Sequence, residues 1–321
     1  MEPATSDLDL HLVARALVLD RAAASAIERL RASDVASILL KGAAIGTWLY
    51  RDGALRSYTD VDLLVSPSQF ERATQVLAEL GYVDRMAGAH PAEVGPKERD
   101  LVRPDGAWID LHLGLIGIPG DPQQCWDILA DRVVNLRLTP DVEVQALDEP
   151  ARAMHLALHA AQNGLIDLKA IEDLRRGLEI VEERQWREAA LLADELGASQ
   201  AFAAGLRLLP AGRSLAERLS LPHGMSVELA LRVGSAPQDA IFFERLGQVR
   251  GLSHKVPVIA RKLFPTAAFL RANSPMARRH RGGLIASWLG HPFGVLWRFG
   301  PAFRTWRNAK SATRRDALDR P

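Results

Sequence analysis

The sequence predicts an α+β protein, with a small mixed β-sheet in its first part and a mainly helical second part. Two observations support this fold class. Short apolar runs that fit β-strands cluster before residue 115, whereas helical spacing of apolar residues dominates from Pro122 onward. The chain has 321 residues, of which 48% are hydrophobic, so it is long enough to bury a sizeable core and to form two domains.

The first elements follow from local patterns along the chain. Apolar side chains at helical spacing predict one long leading helix or two short ones over residues 8–31. A short apolar run predicts a buried strand over residues 35–40. An alanine-rich helix that ends near Tyr50 comes next. Residues 60–65 begin with alternating polar and apolar side chains and end before a proline, which predicts a strand entering the core. A helix with an apolar stripe over residues 70–80 follows.

Two further strands, residues 100–102 and 107–113, are predicted to be joined by a turn at Pro104-Asp105-Gly106. Proline fixes φ and glycine accepts a positive φ, so this tripeptide is typical of a turn. Beyond it, only residues 133–138 and 142–145 look extended. We therefore expect a sheet domain over residues 1–120, a mainly helical domain over residues 121–308 and a flexible tail over residues 309–321.

Composition limits the classes of function and the compartment. The formal net charge is +1, which argues against long nucleic acid as a partner, because its phosphates demand a wide basic track. A single cysteine, Cys125, excludes an intramolecular disulfide and any zinc site made of several cysteines. The N-terminal residues form no basic and apolar leader. These features predict a cytoplasmic protein.

Three aspartates form the first candidate site. Asp60 and Asp62 are two residues apart in a predicted strand, so both carboxylates project from one face. Such a pair repels itself unless a cation lies between the carboxylates, and oxygen ligands of this kind suit Mg²⁺. On its own, the pair is more often solvated charge at the start of a strand. Asp110 favours a metal site over solvated charge, because an unpaired carboxylate within an apolar strand is costly to bury. If its strand neighbours the first, the three acids form a site suited to two metal ions.

A strand, a glycine and a helix follow one another directly at Lys41-Gly42. Glycine lets phosphate groups approach the backbone, and the first turn of a helix offers free N–H groups and a favourable dipole. Lys41 adds a cation, and Arg56 is either a further phosphate contact or a partner of the acids. His112 shares a strand face with Asp110 and is predicted to orient a carboxylate or to contact substrate. The alternative is a tight strand-to-helix turn with an incidental lysine.

Four stretches together carry a resemblance to a known family: Leu39-Leu40-Lys41-Gly42-Ala43-Ala44, Arg56, Asp60-Val61-Asp62-Leu63-Leu64-Val65 and Ile109-Asp110-Leu111-His112. They resemble the polymerase-beta-like nucleotidyltransferase superfamily, and within it an uncharacterised family of bacterial stand-alone nucleotidyltransferases. The resemblance covers residues 35–113. The superfamily usually has Gly-Gly or Gly-Ser where this chain has Lys-Gly, so Lys41 either supplements the phosphate site or partly fills it.

The resemblance implies a palm-like domain in which Asp60 and Asp62 hold two Mg²⁺ ions, while Asp110 holds one and serves as base. Gly42 would bring the backbone to the triphosphate of the NTP donor. The implied reaction transfers NMP from the NTP to an unidentified hydroxyl acceptor, a small molecule or peptide of a biosynthetic pathway, in a cleft between the two domains. Two rivals stay open: a catalytically silent nucleotide-binding scaffold that docks through its basic C-terminal region, and a transferase that attaches AMP or UMP to a protein.

The C-terminal quarter is strongly basic, with sixteen Lys/Arg against three Asp/Glu from Ile241 onward. Residues 282–297 are rich in Leu, Phe and Trp and are flanked by arginines. Three interpretations of residues 278–307 stay open. They are ordinary packing on the helical domain, a peripheral contact with the inner face of a membrane, or a docking surface for a protein partner or an anionic substrate.

Overall fold

The computed structural model describes residues 7–52, 54–90, 93 and 98–318. The described residues fall into two compact units. The first unit takes its residues from Met1–Arg85, Lys97–Leu156 and Arg175–Gly197, and the second from Met86–Pro96, Ala157–Leu174 and Ala198–Pro321.

The first unit contains the β-strands and the N-terminal helices. The strands are β1 (Ser37–Leu39), β2 (Val61–Val65), β3 (Val83–Asp84), β4 (Glu98–Val102), β5 (Trp108–His112), β6 (Val133–Thr139) and β7 (Val142–Leu147). The helices are α1 (Asp7–Arg31), α2 (Ala43–Leu49), α3 (Phe70–Glu79), α4 (Pro122–Ala130), α5 (Glu149–Asn163), α6 (Leu168–Ile180) and α7 (Glu183–Glu195). The residues of α5 and α6 are divided between the two units.

The strands form one mixed sheet in the order β3-β4-β5-β2-β1-β7-β6. β2 is parallel to β5 and β1 is parallel to β7, whereas the other neighbouring strands are antiparallel. The candidate aspartates Asp62 and Asp110 are therefore on adjacent central strands, β2 and β5. The Lys41-Gly42 segment follows β1, on the other side of β2.

One face of this sheet carries the main core of the first unit. Alternate residues of the central strands, among them Leu63, Ile109 and Leu111, are buried in one cluster with residues of α1 and α3. Because successive side chains of a strand project to opposite faces, Asp62 and Asp110 project from the other face. Core packing therefore determines the orientation of both aspartates, since a one-residue slip in register would exchange Asp62 with an apolar neighbour.

The second unit is helical in its described residues. Its helices after α7 are α8 (Ser199–Leu206), α9 (Pro210–Arg218), α10 (Val227–Val233), α11 (Gln238–Gln248), α12 (Leu252–Leu263), α13 (Ala267–Asn273), α14 (Pro275–Arg279) and α15 (Arg281–Leu318). The helices α10 to α14 contact α15. Within the described ranges, none of the helices combines the length and the apolar character that crossing a bilayer would require.

The α+β fold class predicted from the sequence is confirmed. The predicted turn is also present, because Gly106 has a φ of 87° and the Arg103 N–H donates to the Ala107 carbonyl at 2.9 Å. The two-residue strand β3 was not predicted, since so short a segment has no periodicity to detect.

Two strands of the sheet come from beyond residue 120, where the sequence predicted that the sheet domain ends. β6 and β7 form a hairpin, and β7 joins the sheet through its parallel pairing with β1. At the other end of the chain, α15 is helical through Leu318, and residues 319–321 of the predicted flexible tail lie outside the described residues. The domain limits at residues 120 and 308 stay predictions.

Candidate active site

Strands β2 and β5 bring Asp62 and Asp110 together. The two strands are parallel neighbours, and their register pairs Asp62 with Asp110. Neighbouring strands lie about 5 Å apart, and paired residues project to the same face. The two carboxylates therefore share one place on the sheet, opposite the main core.

Asp62 is buried and has two partners. Its Oδ1 lies 2.6 Å from Lys41 Nζ and 3.1 Å from His112 Nε2. A carboxylate only accepts hydrogen bonds, so the Lys41 ammonium and the His112 ring N–H both donate to it. Burial alone would raise the pKa of Asp62, but Lys41 and His112 together hold that pKa below its usual range. Asp62 is therefore an ionised carboxylate in a fixed orientation.

Lys41 stays charged because it lies against the Asp62 carboxylate. Burial would lower its pKa, but the adjacent Asp62 carboxylate outweighs burial and raises the pKa of Lys41 above its ordinary value. The lysine thus places one positive charge directly against the buried aspartate. This ion pair was not predicted, because the sequence placed Lys41 at the phosphate site, as a supplement or a partial filling, or left it as incidental.

Asp110 is half-buried and accepts a hydrogen bond from Trp108 Nε1, 2.6 Å from its Oδ1. Trp108 precedes it by two residues on β5, so both side chains project to the same face. Burial raises the pKa of Asp110 to about 7, and the negative charge of Asp62 adds to the effect. The site therefore pairs a firmly ionised carboxylate with one that exchanges its proton near neutral pH.

The sequence analysis missed a fourth acid, Asp100. The antiparallel register of β4 and β5 pairs Asp100 with Asp110, and Arg85 Nη1 lies 3.5 Å from Asp100 Oδ2. Burial raises the pKa of Asp100, although Arg85 opposes the shift. A signal was available, because the predicted turn at residues 103–106 sets the pairing of the two strands that it joins.

Asp60 immediately precedes β2 and is half-buried. Its negative charge acts on its neighbours, raising the pKa values of Lys41 and Asp110. It is not part of the tightest group of metal-ligating atoms. In the described part of the chain, that group consists of Asp62, Asp110 and His112, whose ligand atoms lie within 4.8 Å of one another. The sequence had placed Asp60, and not His112, in the metal set.

This donor set fits a hard divalent cation. Asp60, Asp62, Asp100 and Asp110 act on one another electrostatically, and part of the raised pKa of Asp110 is their mutual repulsion. Lys41 pairs with Asp62, and Arg85 pairs with Asp100. Carboxylate oxygens on a sheet face are ligands that suit Mg²⁺, and a bound cation would relieve the repulsion that the raised pKa of Asp110 records.

Gly42 connects β1 to α2 in a conformation that favours glycine, with φ 59° and ψ −121°. The residue is buried, and a Cβ added there would meet the Tyr58 ring at 3.5 Å. Arg56 is also buried and donates from Nη1 to the Gly42 carbonyl at 3.4 Å. The Tyr58 hydroxyl donates to Asp20 Oδ1 at 2.6 Å. The loop that begins at Lys41 is therefore held in place by a ring and a guanidinium.

The structure divides the predicted site residues into a cluster and a supporting loop. Lys41, Asp62, Asp110 and His112 form the cluster, with Asp60 before β2. Gly42 lies in the loop after β1, and Arg56 supports that loop from a later segment. The Arg56 contact goes to a backbone carbonyl, which is a structural role that the sequence had not assigned. The predicted phosphate contacts of Gly42 and Arg56 stay predictions.

Comparison with known proteins assigns the chain to a family. Residues 10–211 match the family described as uncharacterised nucleotidyltransferase, a span that covers more than half of the chain and includes every predicted site residue. A search of curated proteins returns no match. The resemblance seen in the sequence is thereby confirmed, and the chain belongs to the uncharacterised nucleotidyltransferase family.

Proposed function

We propose that this nucleotidyltransferase is Mg²⁺-dependent and transfers NMP from an NTP to a hydroxyl acceptor, a small molecule or peptide of a biosynthetic pathway. One observation carries the proposal. Asp62 and Asp110 are paired on parallel strands, and their ligand atoms lie within 4.8 Å of each other and of His112. Carboxylates grouped in this way are the ligands that metal-assisted phosphoryl transfer requires.

Asp60, Asp62 and Asp110 are the residues that would hold two Mg²⁺ ions. When bound, the ions would neutralise charge on the triphosphate and favour ionisation of the acceptor hydroxyl. His112 donates to Asp62, so it would keep that carboxylate in its ligating orientation, as outer partners of metal ligands generally do.

Asp110 is the residue to which we assign the acceptor proton. Burial raises the pKa of Asp110 above its ordinary value, and a bound cation would lower it again, so that Asp110 would be an ionised carboxylate able to accept this proton. Because Trp108 donates to Oδ1, we assign the proton to Oδ2. The acceptor oxygen forms a bond to the α-phosphorus, the bond from that phosphorus to the bridging oxygen breaks, and pyrophosphate leaves.

Lys41 is the cation that we assign to the triphosphate. Its Nζ lies 2.6 Å from Asp62, so a small movement of the side chain would exchange a carboxylate oxygen for a phosphate oxygen. Lysine serves phosphate as a compact point charge. This proposal combines the two alternatives that the sequence left open, because the side chain would both fill part of the phosphate site and supplement its charge.

The same ion pair favours one second candidate, a catalytically silent nucleotide-binding scaffold. The Lys41 ammonium lies 2.6 Å from Asp62 and neutralises it, an arrangement that would also suit a site in which an ammonium group takes the place of a metal ion. A scaffold of this kind would keep its cellular role in an Asp62→Asn variant and would release no pyrophosphate.

The test measures transfer of a label on the α-phosphate from each of the four NTPs. The reaction contains Mg²⁺ and a cell extract as the source of acceptors. The wild-type chain is compared with Asp62→Asn and with the matched control Asp105→Asn. Asp105 is an exposed aspartate of the turn, paired with Arg103 at 2.7 Å. We expect pyrophosphate release and labelled product from the wild type and the control, and from neither when the chelator EDTA is added.

The fraction that carries the label decides between the remaining candidates. Label in the small-molecule or peptide fraction supports the proposal, whereas label on protein bands would replace that acceptor by a protein hydroxyl. Equal turnover by Asp62→Asn, or no turnover with any NTP, would overturn the proposed reaction. In the second case the scaffold candidate would stand.

A further inference from the structure

Helix α15 buries only one of its faces. Val295 and Ala302 are fully buried, and Trp306 packs against the small core of the second unit. These residues recur at steps of seven and four, which keeps them on one side of a helix with 3.6 residues per turn. Helices α10 to α14 contact α15 and cover this side.

The other face of α15 is apolar and exposed. At 3.6 residues per turn its members fall on one side of the helix, and they are Ile285, Trp288, Leu289, Phe293, Leu296, Trp297 and Phe303. Phe293 is 75% exposed and Trp297 is 85% exposed, which is unusual for side chains of this size on a soluble surface. We call this face the apolar stripe. An exposed apolar patch of this size marks an interaction surface.

The apolar stripe is continued by a ring from a neighbouring element. Phe264, directly after α12, is 51% exposed, and its ring centroid lies 5.6 Å from that of Trp288. On α12 itself, Leu252 and Val256 are also exposed. Apolar area is therefore presented by two elements of the second unit and is not confined to one helix.

The charged residues on the part of the chain that carries the apolar stripe are all basic. Between residues 275 and 315 the chain has nine Lys/Arg and no Asp/Glu. Arg281 lies at one end of the stripe, and Arg304, Arg307 and Lys310 follow it at the other end, all of them exposed. Helical spacing places these four on the same side as the apolar residues. The surface thus offers an apolar centre between two basic ends.

An anionic bilayer matches both components of this surface. Its headgroups supply negative charge, and its interface receives Trp, Phe and Leu side chains. A second copy in a twofold dimer would bring the same basic ends towards each other, because such an interface pairs a patch with itself. A nucleic acid would match the arginines but would provide no apolar phase for Leu289 and Leu296.

We propose that the exposed face of α15, with Phe264, is a docking surface for a membrane containing anionic phospholipids. The helix lies in the plane of the interface, with the apolar stripe inserted among the headgroups and Arg281, Arg304 and Arg307 on the phosphates. Docking is separate from nucleotide transfer, and neither depends on the other for its test.

The experiment is co-sedimentation of the full chain with vesicles of phosphatidylcholine alone or with about 30% phosphatidylglycerol. We expect binding to the mixed vesicles that weakens as salt is added, and little binding to the neutral ones. Phe293→Glu/Trp297→Glu is expected to lower the partition coefficient about tenfold or more. The matched control is Leu191→Glu, since Leu191 is 68% exposed on α7, outside the surface.

The contribution of the basic residues is tested by Arg304→Glu/Arg307→Glu. We expect this variant to bind the mixed vesicles about tenfold more weakly. The control is Arg72→Glu/Arg213→Glu, which reverses the same amount of charge at exposed positions elsewhere. Insertion is read separately by tryptophan fluorescence with brominated lipids. Quenching by mixed vesicles should be strong in the wild type and reduced in Trp288→Phe/Trp297→Phe.

Three results would overturn the proposal. One is absence of binding to the mixed vesicles, and another is an equal loss of binding in the control variants. The third is a dimer, seen by light scattering without vesicles, that the Phe293→Glu/Trp297→Glu substitutions dissociate, because that result assigns the surface to a second copy of the chain.

Discussion

Replacing Gly42 with alanine tests whether the backbone after β1 builds the site. At φ 59° and ψ −121°, an alanine is strained by about 1–3 kcal/mol. A stiffer unfolded chain offsets about 0.4–1 kcal/mol of this strain, so we expect the free energy of unfolding to fall by up to about 2.5 kcal/mol. The added Cβ would lie 3.5 Å from the Tyr58 ring, which is an ordinary contact. The loss of stability therefore comes from backbone strain and not from a steric clash.

Gly46 provides the matched control within the same segment. It lies inside α2, where an added Cβ would be 3.9 Å from Arg56 Cβ, and alanine in a helix interior is favoured over glycine by about 1 kcal/mol. Urea unfolding and NTP binding are measured on both variants. We expect Gly42→Ala to lower the unfolding midpoint and to weaken NTP binding, and Gly46→Ala to raise the midpoint and keep binding. Equal midpoints for the two variants would refute the assigned role of the Gly42 backbone.

Three further predictions follow from the contacts of single residues. Asp62→Asn should abolish turnover and lower the free energy of unfolding by about 1–3 kcal/mol, because the partly exposed Lys41 ammonium loses its charged hydrogen-bond acceptor; unchanged stability in urea would contradict this. Trp108→Phe should lower kcat about tenfold with little change in KM, since only the donor to Asp110 is lost; pyrophosphate release measures it, and an unchanged kcat would remove Trp108 from the site. Burial acts against ionisation of Asp239, but Lys262 and Arg298 outweigh it and hold the pKa of this carboxyl below its usual value. Its contribution to stability is therefore present above the pKa of an unfolded aspartate, about 3.9, and is lost as the pH falls through the lower folded value. Unfolding midpoints between pH 6 and 3, flatter in Asp239→Asn than in the wild type, would bear this out, and parallel curves would not.

Local periodicity predicted the fold class and most elements of the N-terminal part. α1 and α3 have apolar residues at helical spacing, and the turn at Gly106 has its characteristic residues. The place of β6 and β7 in the sheet was not predictable in the same way. It depends on the pairing of β7 with β1, and residues more than 100 positions apart in sequence make that contact.

The alternation of side chains along a strand predicted only part of the candidate site. Asp62 and Asp110 were each placed on a strand, and their proximity needed one assumption, that β2 and β5 are neighbours. The partners of these acids come from register and side-chain conformation, which local patterns do not encode. Hence the contact of Lys41 with Asp62 and that of Trp108 with Asp110 were found only in the structure.

The most direct test of the account is isothermal titration of the four NTPs, with Mg²⁺ and with EDTA, on the wild type, Asp60→Ala/Asp62→Ala and Asp105→Asn. Circular dichroism verifies that each variant is folded. We predict that at least one NTP binds to the wild type and to Asp105→Asn, and only when Mg²⁺ is present. Asp60→Ala/Asp62→Ala should not bind that NTP. Binding that survives both EDTA and the loss of the two aspartates would contradict the claim that these carboxylates hold the metal and, through it, the nucleotide.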